Sequence, residues 1–241
     1  MKGIPVNPYL SSVKKIIIAI DGYAGCGKST LARQLALKLG YTFLDTGAMY
    51  RAITLYLLNN HINWHDEQAL SNVFSQVKIH IATDQNGRTQ TRLNGVLVEE
   101  EIRSMAVSNK VSEVAAVSSI RRFLVAQQQQ IGSEGGVVMD GRDIGTVVFP
   151  HAELKLFITA SMEVRVARRL AELQAVGATV SADDIRRNLE KRDREETTRS
   201  DSPLKQAEDA ILIDNSDLTP EAQLQLALDF AWKRINPTPK A

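Results

Sequence analysis

Short apolar runs alternate with longer segments of helical periodicity along most of this chain. Five runs are short and apolar enough for buried strands, at about 15–21, 41–45, 136–140, 153–160 and 210–217. Helical patterns cover about 28–39, 46–60, 65–77, 99–131, 162–177, 183–199 and 220–234. Strands that alternate with helices in this way predict a parallel sheet covered by helices on both faces, a three-layer α/β fold.

One segment departs from this alternation. The sequence VKIHIAT at 77–83 changes to a period of two, and TQTRL follows at 89–93. Asn86 and Gly87 lie between them and form a strong two-residue turn signal. The segment is therefore predicted to be a β-hairpin inserted into the α/β pattern.

Composition narrows the class of protein. The 241 residues carry a formal net charge of +1, which argues against bulk nucleic-acid binding. No apolar run is long enough for a membrane span. Residues 1–14 lack the apolar core of a signal peptide, so we expect a loose tail before one domain at 15–241. The single cysteine, Cys26, excludes an intramolecular disulfide and a cysteine-based zinc site, which favours a reducing cytoplasm.

The first predicted strand leads directly into a phosphate-binding motif. Residues 22–29, GYAGCGKS, fit G-x-x-x-x-G-K-[ST] between a strand and a helix. Glycines let the backbone curl so that successive N–H groups point at a phosphate chain. Lys28 would reach the outer phosphates, and the Ser29 hydroxyl would ligate Mg²⁺. The predicted nucleotide-binding residues are Gly22, Tyr23, Ala24, Gly25, Cys26, Gly27, Lys28, Ser29 and Thr30. The motif predicts a site for ATP or GTP, and Cys26 is interpreted as a small filler residue.

Polar side chains follow two other predicted strands. The strand at 41–45 ends in Asp45, and the strand at 136–140 ends in Asp140. The carboxyl ends of parallel strands meet at one edge of the sheet, where ligands collect. Asp140 beside the phosphate loop suits a Mg²⁺ role, direct or through water. Two alternatives remain: Asp45 could be a helix cap, and Arg142 with Asp143 a surface pair.

The segment at 183–199 is a highly charged helix with few apolar positions. Its charges are mostly interpreted as a solvated face. Arg192, Glu196 and Arg199 nevertheless fall at i, i+4 and i+7, on one side of the helix. Two arginines on a poorly anchored helix suit a mobile lid that closes over a phosphoryl group, stabilises its charge and excludes water.

Five motifs together resemble bacterial cytidylate kinases: GYAGCGKST, LDTGAMYR, VSEVAAVSSIRRF, DGRDIGTVVFP and RDREETTRSDSPL, within about 16–217. The resemblance implies transfer of the γ-phosphoryl of ATP, with Mg²⁺, to CMP or dCMP. It also implies a P-loop NTPase fold and, by analogy with small kinases of this type, a monomer. The near-neutral charge and the short apolar runs predict that neither nucleic acid nor membrane is a partner. The parts expected of one kinase domain are a core at about 15–60 and 134–241, a nucleoside-monophosphate-binding insertion at about 61–133 and a lid at about 178–203.

The resemblance also assigns roles to single residues. The implied catalytic residues are Lys28, Arg142, Arg192 and Arg199. The implied CMP-binding residues are Thr46 and Tyr50 (pocket lining), Arg51 and Arg142 (phosphate), Ser112, Arg121 and Asp143 (cytosine), and Glu196 (ribose). The family usually has Asp at the position of Glu196, so the preference for CMP or dCMP stays open. Ser29 and Asp140 are the expected metal ligands.

Two other functions share the nucleotide-binding motif. A P-loop kinase for another small acceptor, such as UMP or AMP, would share the phosphate loop. A nucleotide switch of the GTPase type needs N-K-x-D, whereas Asn109 and Lys110 are followed by Val and Ser, which excludes that motif.

The cytosine assignment carries a geometric condition. Ser112 and Arg121 are nine residues apart, which places them on opposite sides of a continuous helix. Both can reach one base only if the helix breaks between them. We expect a break near 116–119, with Ser118 or Ser119 as the N-cap of a second helix.

Overall fold

The computed structural model describes residues 14–83, 89–175 and 177–237. Nearly all of the predicted tail and the predicted Asn86–Gly87 turn lie outside these ranges. Within them, no helix combines the length and the apolar character needed to cross a membrane.

The five predicted strands form one parallel sheet. Its strands are β1 (Ile17–Gly22), β2 (Thr42–Asp45), β6 (Val137–Asp140), β7 (Leu154–Thr159) and β8 (Ile211–Asp214). Their order is β2-β6-β1-β7-β8, and every adjacent pair is parallel. The carboxyl ends of β2, β1 and β6 therefore open on the same edge, because β2 and β1 both pair with β6. The three-layer α/β prediction is confirmed.

Helices cover both faces of the sheet. They are α1 (Lys28–Leu39), α2 (Thr46–Asn59), α3 (Glu67–Gln76), α4 (Met105–Ala115), α5 (Ser118–Gly132), α6 (Met162–Ala175), α7 (Ala182–Thr198) and α8 (Pro220–Ile235). Successive side chains of β1 point to opposite faces of the sheet. Ile18 and Ile20 pack in the cluster that contains residues of α1 and α8, whereas Ala19 packs in the cluster of α2, α4 and α5. Both clusters are apolar, so each face of the sheet is buried.

The predicted insertion contains a small antiparallel sheet. Strand β3 (Ile79–Thr83) pairs with β4 (Thr89–Leu93), as the hairpin prediction required. A two-residue strand, β5 (Val96–Leu97), then pairs with β4 and was not foreseen. A 3-10 turn at Glu101–Arg103 leads into α4.

The predicted helix break is confirmed. Helix α4 ends at Ala115 and α5 begins at Ser118, so the long helical segment divides inside the expected window. The predicted N-cap is wrong. Val117, with extended φ and ψ, is the N-cap, and Ser118 is already helical. The Ser119 hydroxyl donates instead to Glu67 Oε1, at 3.2 Å. A contact to another helix thus replaces the local cap.

The charged helix α7 is better anchored than its sequence indicates. Ile185 and Leu189 are buried against Ala24, Val166 and Leu173. Two apolar residues at i and i+4 form a narrow stripe, which is enough because the helix packs on a small cluster beside the phosphate loop. The description of α7 as poorly anchored is therefore wrong. Of the three residues expected on its solvated face, Glu190 and Arg194 are exposed and Glu195 is partly exposed.

Candidate functional site

A cavity of about 1200 Å³ lies at the carboxyl ends of the central strands. Every predicted site residue lines it except Gly22, Tyr23 and Cys26. Its walls come from the phosphate loop, α2, the break between α4 and α5, the loop after β6, and α7. The separate sequence motifs therefore meet around one space.

The phosphate loop starts with Gly22, and any other residue there would displace the backbone of the neighbouring strand β7. Gly22 has φ +142°, and a Cβ there would lie 2.0 Å from the backbone oxygen of Ile158 in β7. Gly27, the N-cap of α1, has φ +81°, in the left-handed region that favours glycine. Lys28 is buried, and its Nζ donates to the Tyr23 carbonyl at 2.6 Å. Burial lowers the pKa of Lys28.

The thiol of Cys26 fills space rather than facing the cavity. It is fully buried, and its Sγ lies 2.9 Å from the Tyr23 carbonyl oxygen and 3.4 Å from that of Ile158. These contacts agree with the interpretation of Cys26 as a small filler.

Ser29 and Asp140 meet at the base of the loop. The Ser29 hydroxyl donates to Asp140 Oδ2 at 2.5 Å, and Thr46 Oγ1 donates to the Asp140 carbonyl at 2.6 Å. Asp140 Oδ1 is buried without a hydrogen-bond partner among the described residues. Burial, followed by the charge of Asp45, raises the pKa of Asp140 to about 7. A buried carboxylate oxygen with free lone pairs beside a hydroxyl fits Mg²⁺, which takes its other ligands from water and phosphates.

Asp45 turns out to be a helix cap, as one alternative held. Its Oδ1 accepts from the Ala48 N–H at 2.9 Å, at the N-terminus of α2. Its Oδ2 lies 3.5 Å from Arg103 Nη2. Both oxygens thus face protein groups.

Glu196 is the centre of a buried ionic network. Its Oε2 accepts from Arg142 Nε at 2.5 Å, and its Oε1 accepts from Arg192 Nη2 at 3.0 Å and from the Ser112 hydroxyl at 3.1 Å. Although burial favours the neutral acid, Arg142 and Arg192 hold the pKa of Glu196 well below its ordinary value. The carboxylate is therefore ionised and locks two predicted phosphate-binding arginines together.

Arg121 and Asp143 form a second buried pair. Arg121 Nη2 donates to Asp143 Oδ2, and its Nη1 donates to the Ala115 carbonyl at 3.0 Å. Ala115 is the last residue of α4, so the helix break supplies this acceptor. The Arg121 guanidinium lies 5.5 Å from the centre of the Tyr50 ring. Arg199 Nη2 is 3.9 Å from Asp143 Oδ1. Ser112 and Arg121 both line the cavity, which satisfies the geometric condition set by the sequence.

Three cavity arginines, Arg33, Arg103 and Arg169, were missed by the sequence interpretation. Arg103 and Arg169 line the same cavity as Arg51. Arg51 Nη1 donates to the Ser108 hydroxyl at 2.9 Å. Burial, followed by the charges of Arg192, Arg169 and Arg103, lowers the pKa of Arg51. Arg103 pairs with Glu99 and Arg169 with Glu172, whereas Arg51 forms no ion pair among the described residues, which suits a site for an anion. The position of Arg169 on the helix after a strand could have suggested it, whereas nothing in the sequence singled out Arg103.

Comparison with known proteins identifies the family. A family model described as cytidylate kinase matches residues 18–231. A cytidylate kinase of Parabacteroides distasonis is 50% identical over 227 residues, covering 92% of this chain and 99% of that protein. One of Flavobacterium psychrophilum is 52% identical over 223 residues, covering 90% and 98%. The chain belongs to the cytidylate kinase family.

Membership of the cytidylate kinase family makes the chain an ATP-dependent phosphotransferase. Among solved structures, a shikimate kinase from Bacteroides thetaiotaomicron aligns with a TM-score of 0.46 and 12% identity, over 90% of this chain and 99% of that one. That likeness is too remote to bear on the substrate. Identity near one half over nearly the whole chain identifies the cytidylate kinase family.

Proposed function

We propose that this protein transfers the γ-phosphoryl group of ATP to CMP or dCMP, which gives ADP and CDP or dCDP. The observation that carries the proposal is one continuous cavity that joins the phosphate loop to the Arg121–Asp143 pair. A cavity with an anion cradle at one end and a polar pair at the other suits two nucleotides that meet at their phosphates. Family membership supports the choice of CMP and dCMP over UMP or AMP.

At the donor end, residues 22–30 would hold the triphosphate. The Lys28 ammonium, now bonded to the Tyr23 carbonyl, would turn to the outer phosphates. Ser29 and Asp140 would hold Mg²⁺, which neutralises phosphate charge when bound. We expect Asp140→Asn to raise the Mg²⁺ concentration needed for half-maximal activity, because the amide brings no charge to the metal.

At the acceptor end, Asp143 would read the cytosine. Cytosine presents an amino donor at N4 and acceptors at N3 and O2. Asp143 can accept from N4, while Arg121 can donate to the acceptors, and the Ser112 hydroxyl can do so if it turns away from Glu196 Oε1. Uracil would present an acceptor to Asp143 and leave a buried carboxylate unpaired, which is an effective form of discrimination. Thr46 and Tyr50 would line the pocket.

The arginines would hold and stabilise the phosphates. Arg51 and Arg142 would bind the CMP phosphate, and Arg192 and Arg199 would contact the phosphoryl group in transit. The acceptor is already a phosphate oxygen, so alignment and charge stabilisation suffice without a strong general base. Glu196 Oε2 accepts from Arg142 alone among the described residues and keeps a lone pair for a ribose hydroxyl, so rates with CMP and dCMP would measure the preference.

An assay of ADP release across CMP, dCMP, UMP and AMP tests the proposal. We expect CMP and dCMP to be used well ahead of the others. Lys28→Ala serves as the control: it should abolish ADP release with every acceptor, which excludes a contaminating kinase. Brisk turnover of another acceptor, with none for CMP, would overturn the proposal. The proposal also includes a monomer that acts in cytoplasmic pyrimidine metabolism, and light scattering would measure that oligomeric state.

A further inference from the structure

Two arginines on one face of α6 donate hydrogen bonds to backbone carbonyls of the phosphate loop. Arg165 Nη1 donates to the Ala24 carbonyl at 3.3 Å, and Arg168 Nη1 donates to the Cys26 carbonyl at 3.4 Å. Asn215, just after β8, donates from Nδ2 to the same Cys26 carbonyl at 2.7 Å. Alternate carbonyls of the loop therefore point to one side, toward α6 and the end of β8.

The direction of these carbonyls fixes the direction of the N–H groups that follow. The described residues contain no cis peptide bond, and in a trans peptide the C=O and the next N–H point in opposite directions. When the carbonyls of Ala24 and Cys26 point toward α6, the N–H groups of Gly25 and Gly27 point away from it, into the cradle. We propose that Arg165, Arg168 and Asn215 are positioning residues that aim these two N–H groups at the phosphates of ATP.

The three side chains are themselves held in place. Arg168 donates from Nη1 to Asn215 Oδ1 at 2.9 Å and from Nη2 to the Asn215 carbonyl at 3.0 Å. Asn215 is fully buried, and its Nδ2 also donates to Gln223 at 3.0 Å. Arg165 is ion-paired with Asp193 of α7 at 2.8 Å. We call Arg165, Arg168 and Asn215 the clamp. Because these side chains have little freedom, they can hold the loop peptides in one orientation before the nucleotide binds, which reduces the entropy lost on binding.

The three side chains lie within van der Waals contact of the two glycine positions. A Cβ at Gly27 would lie 3.8 Å from Asn215 Nδ2 and 3.9 Å from Arg168 Nη1, and a Cβ at Gly25 would lie 3.4 Å from the Cβ of Arg165. The clamp thus packs directly against the residues whose N–H groups it aims.

This role rests on the proposed function only in taking ATP as the donor. Because the clamp acts at the donor end, its loss should weaken ATP binding and leave CMP binding unchanged. A residue needed only for folding would lower stability and weaken both substrates together.

The test compares Arg168→Ala, Arg168→Lys and Asn215→Asp. Asn215→Asp keeps the shape of the side chain but places an acceptor against the Cys26 carbonyl. Calorimetry with ATP and Mg²⁺, without an acceptor, measures affinity directly, and initial rates give KM for ATP and for CMP. We expect Arg168→Ala and Asn215→Asp each to weaken ATP about tenfold, in line with the loss of a hydrogen bond from a charged or buried group. Arg168→Lys should recover part of the loss, because one donor remains.

Arg187→Ala is the matched control, since Arg187 is exposed and its one ion pair within the described part of the chain is with Asp184, three residues away. It should bind ATP as the wild type does. The proposal is overturned if Arg168→Ala and Asn215→Asp bind ATP within twofold of the wild type, or if KM for ATP and CMP rise equally. Should Arg168→Ala not fold, Asn215→Asp decides alone. A wild type that binds ATP but does not use CMP would refute the proposed function and leave the clamp standing.

Discussion

Replacing Glu196 by glutamine should destabilise the protein strongly, although it changes a single atom. In the wild type, one buried carboxylate balances Arg142 and Arg192. Glutamine keeps one acceptor oxygen and places an amide N–H₂ where the second oxygen stood. Whichever way the amide turns, one arginine meets a donor instead of an acceptor, and both guanidinium groups lose their counter-ion.

The magnitude follows from the burial of the network. Glu196 is 5% exposed, and its two ionic contacts are 2.5 and 3.0 Å long. Removing one partner of such a buried pair costs about 3–5 kcal/mol. For a protein of this size, each kcal/mol lowers the melting temperature by about 2–4 °C. We expect Glu196→Gln to melt about 6–20 °C below the wild type, measured by calorimetry.

The same network predicts a dependence on pH. The pKa of Glu196 is lower in the folded protein than its ordinary value of 4.5, so its stabilisation is fully present above that value. It is lost as the pH falls through the folded pKa. The stability gap between wild type and Glu196→Gln should therefore be widest near neutral pH and narrow in acid.

Glu195→Gln is the matched control, one position away on the same helix. Glu195 is partly exposed, and its ion pair with Lys191 is 3.5 Å long. Such a pair contributes about 0–1 kcal/mol, so this variant should melt close to the wild type. If the two glutamine variants melt at the same temperature, Glu196 does not hold the network that the structure describes.

Three further predictions concern single carboxylates or arginines. Asp143→Asn should reduce the preference for CMP over UMP by tenfold or more in kcat/KM, because the amide can donate to uracil O4; an unchanged ratio would exclude Asp143 from base reading. Arg192→Ala should lower kcat by about 100-fold, as expected for a lost charge contact to the transferring phosphoryl, and near-normal steady-state turnover would argue against the role of the lid. Burial raises the pKa of Asp21 from 3.8 to about 6, so ionisation of this carboxyl opposes folding. As the pH rises from about 4 to 6, the wild type should therefore lose stability relative to Asp21→Asn. Melting curves of both proteins across that range would test this.

The order of elements was predictable because apolar periodicity is a local property. Strand β6 and helix α1 could be predicted from their own residues, and Gly40, in the left-handed conformation, ends α1. Strand β5 was not predictable, since two residues carry no period and their pairing depends on the neighbouring strand. The cap at Val117 was missed for a related reason: Ser119 contacts Glu67, which is distant in sequence.

Site residues that belong to a local motif were also predictable, whereas those that only the fold brings together were not. Lys28 and Ser29 stand in a motif whose spacing is dictated by phosphate geometry, so they could be placed by sequence alone. The structure gathers the residues suggested by family resemblance around one cavity, while their individual roles stay predictions. Arg168 and Asn215 belong to no motif, and their shared contact with one carbonyl exists only after β8 has paired with β7.

The missing side chain at Gly22 has a consequence for how the nucleotide cradle could be changed. Because a methyl group there would collide with the backbone of Ile158, the residue is required by the neighbouring strand whether or not a nucleotide is present. Alanine at this position should disturb the seam between two central strands before it disturbs any ligand. The phosphate loop and the sheet must therefore be altered together. A loop grafted alone onto a different scaffold would lack the neighbouring strand that constrains its first residue.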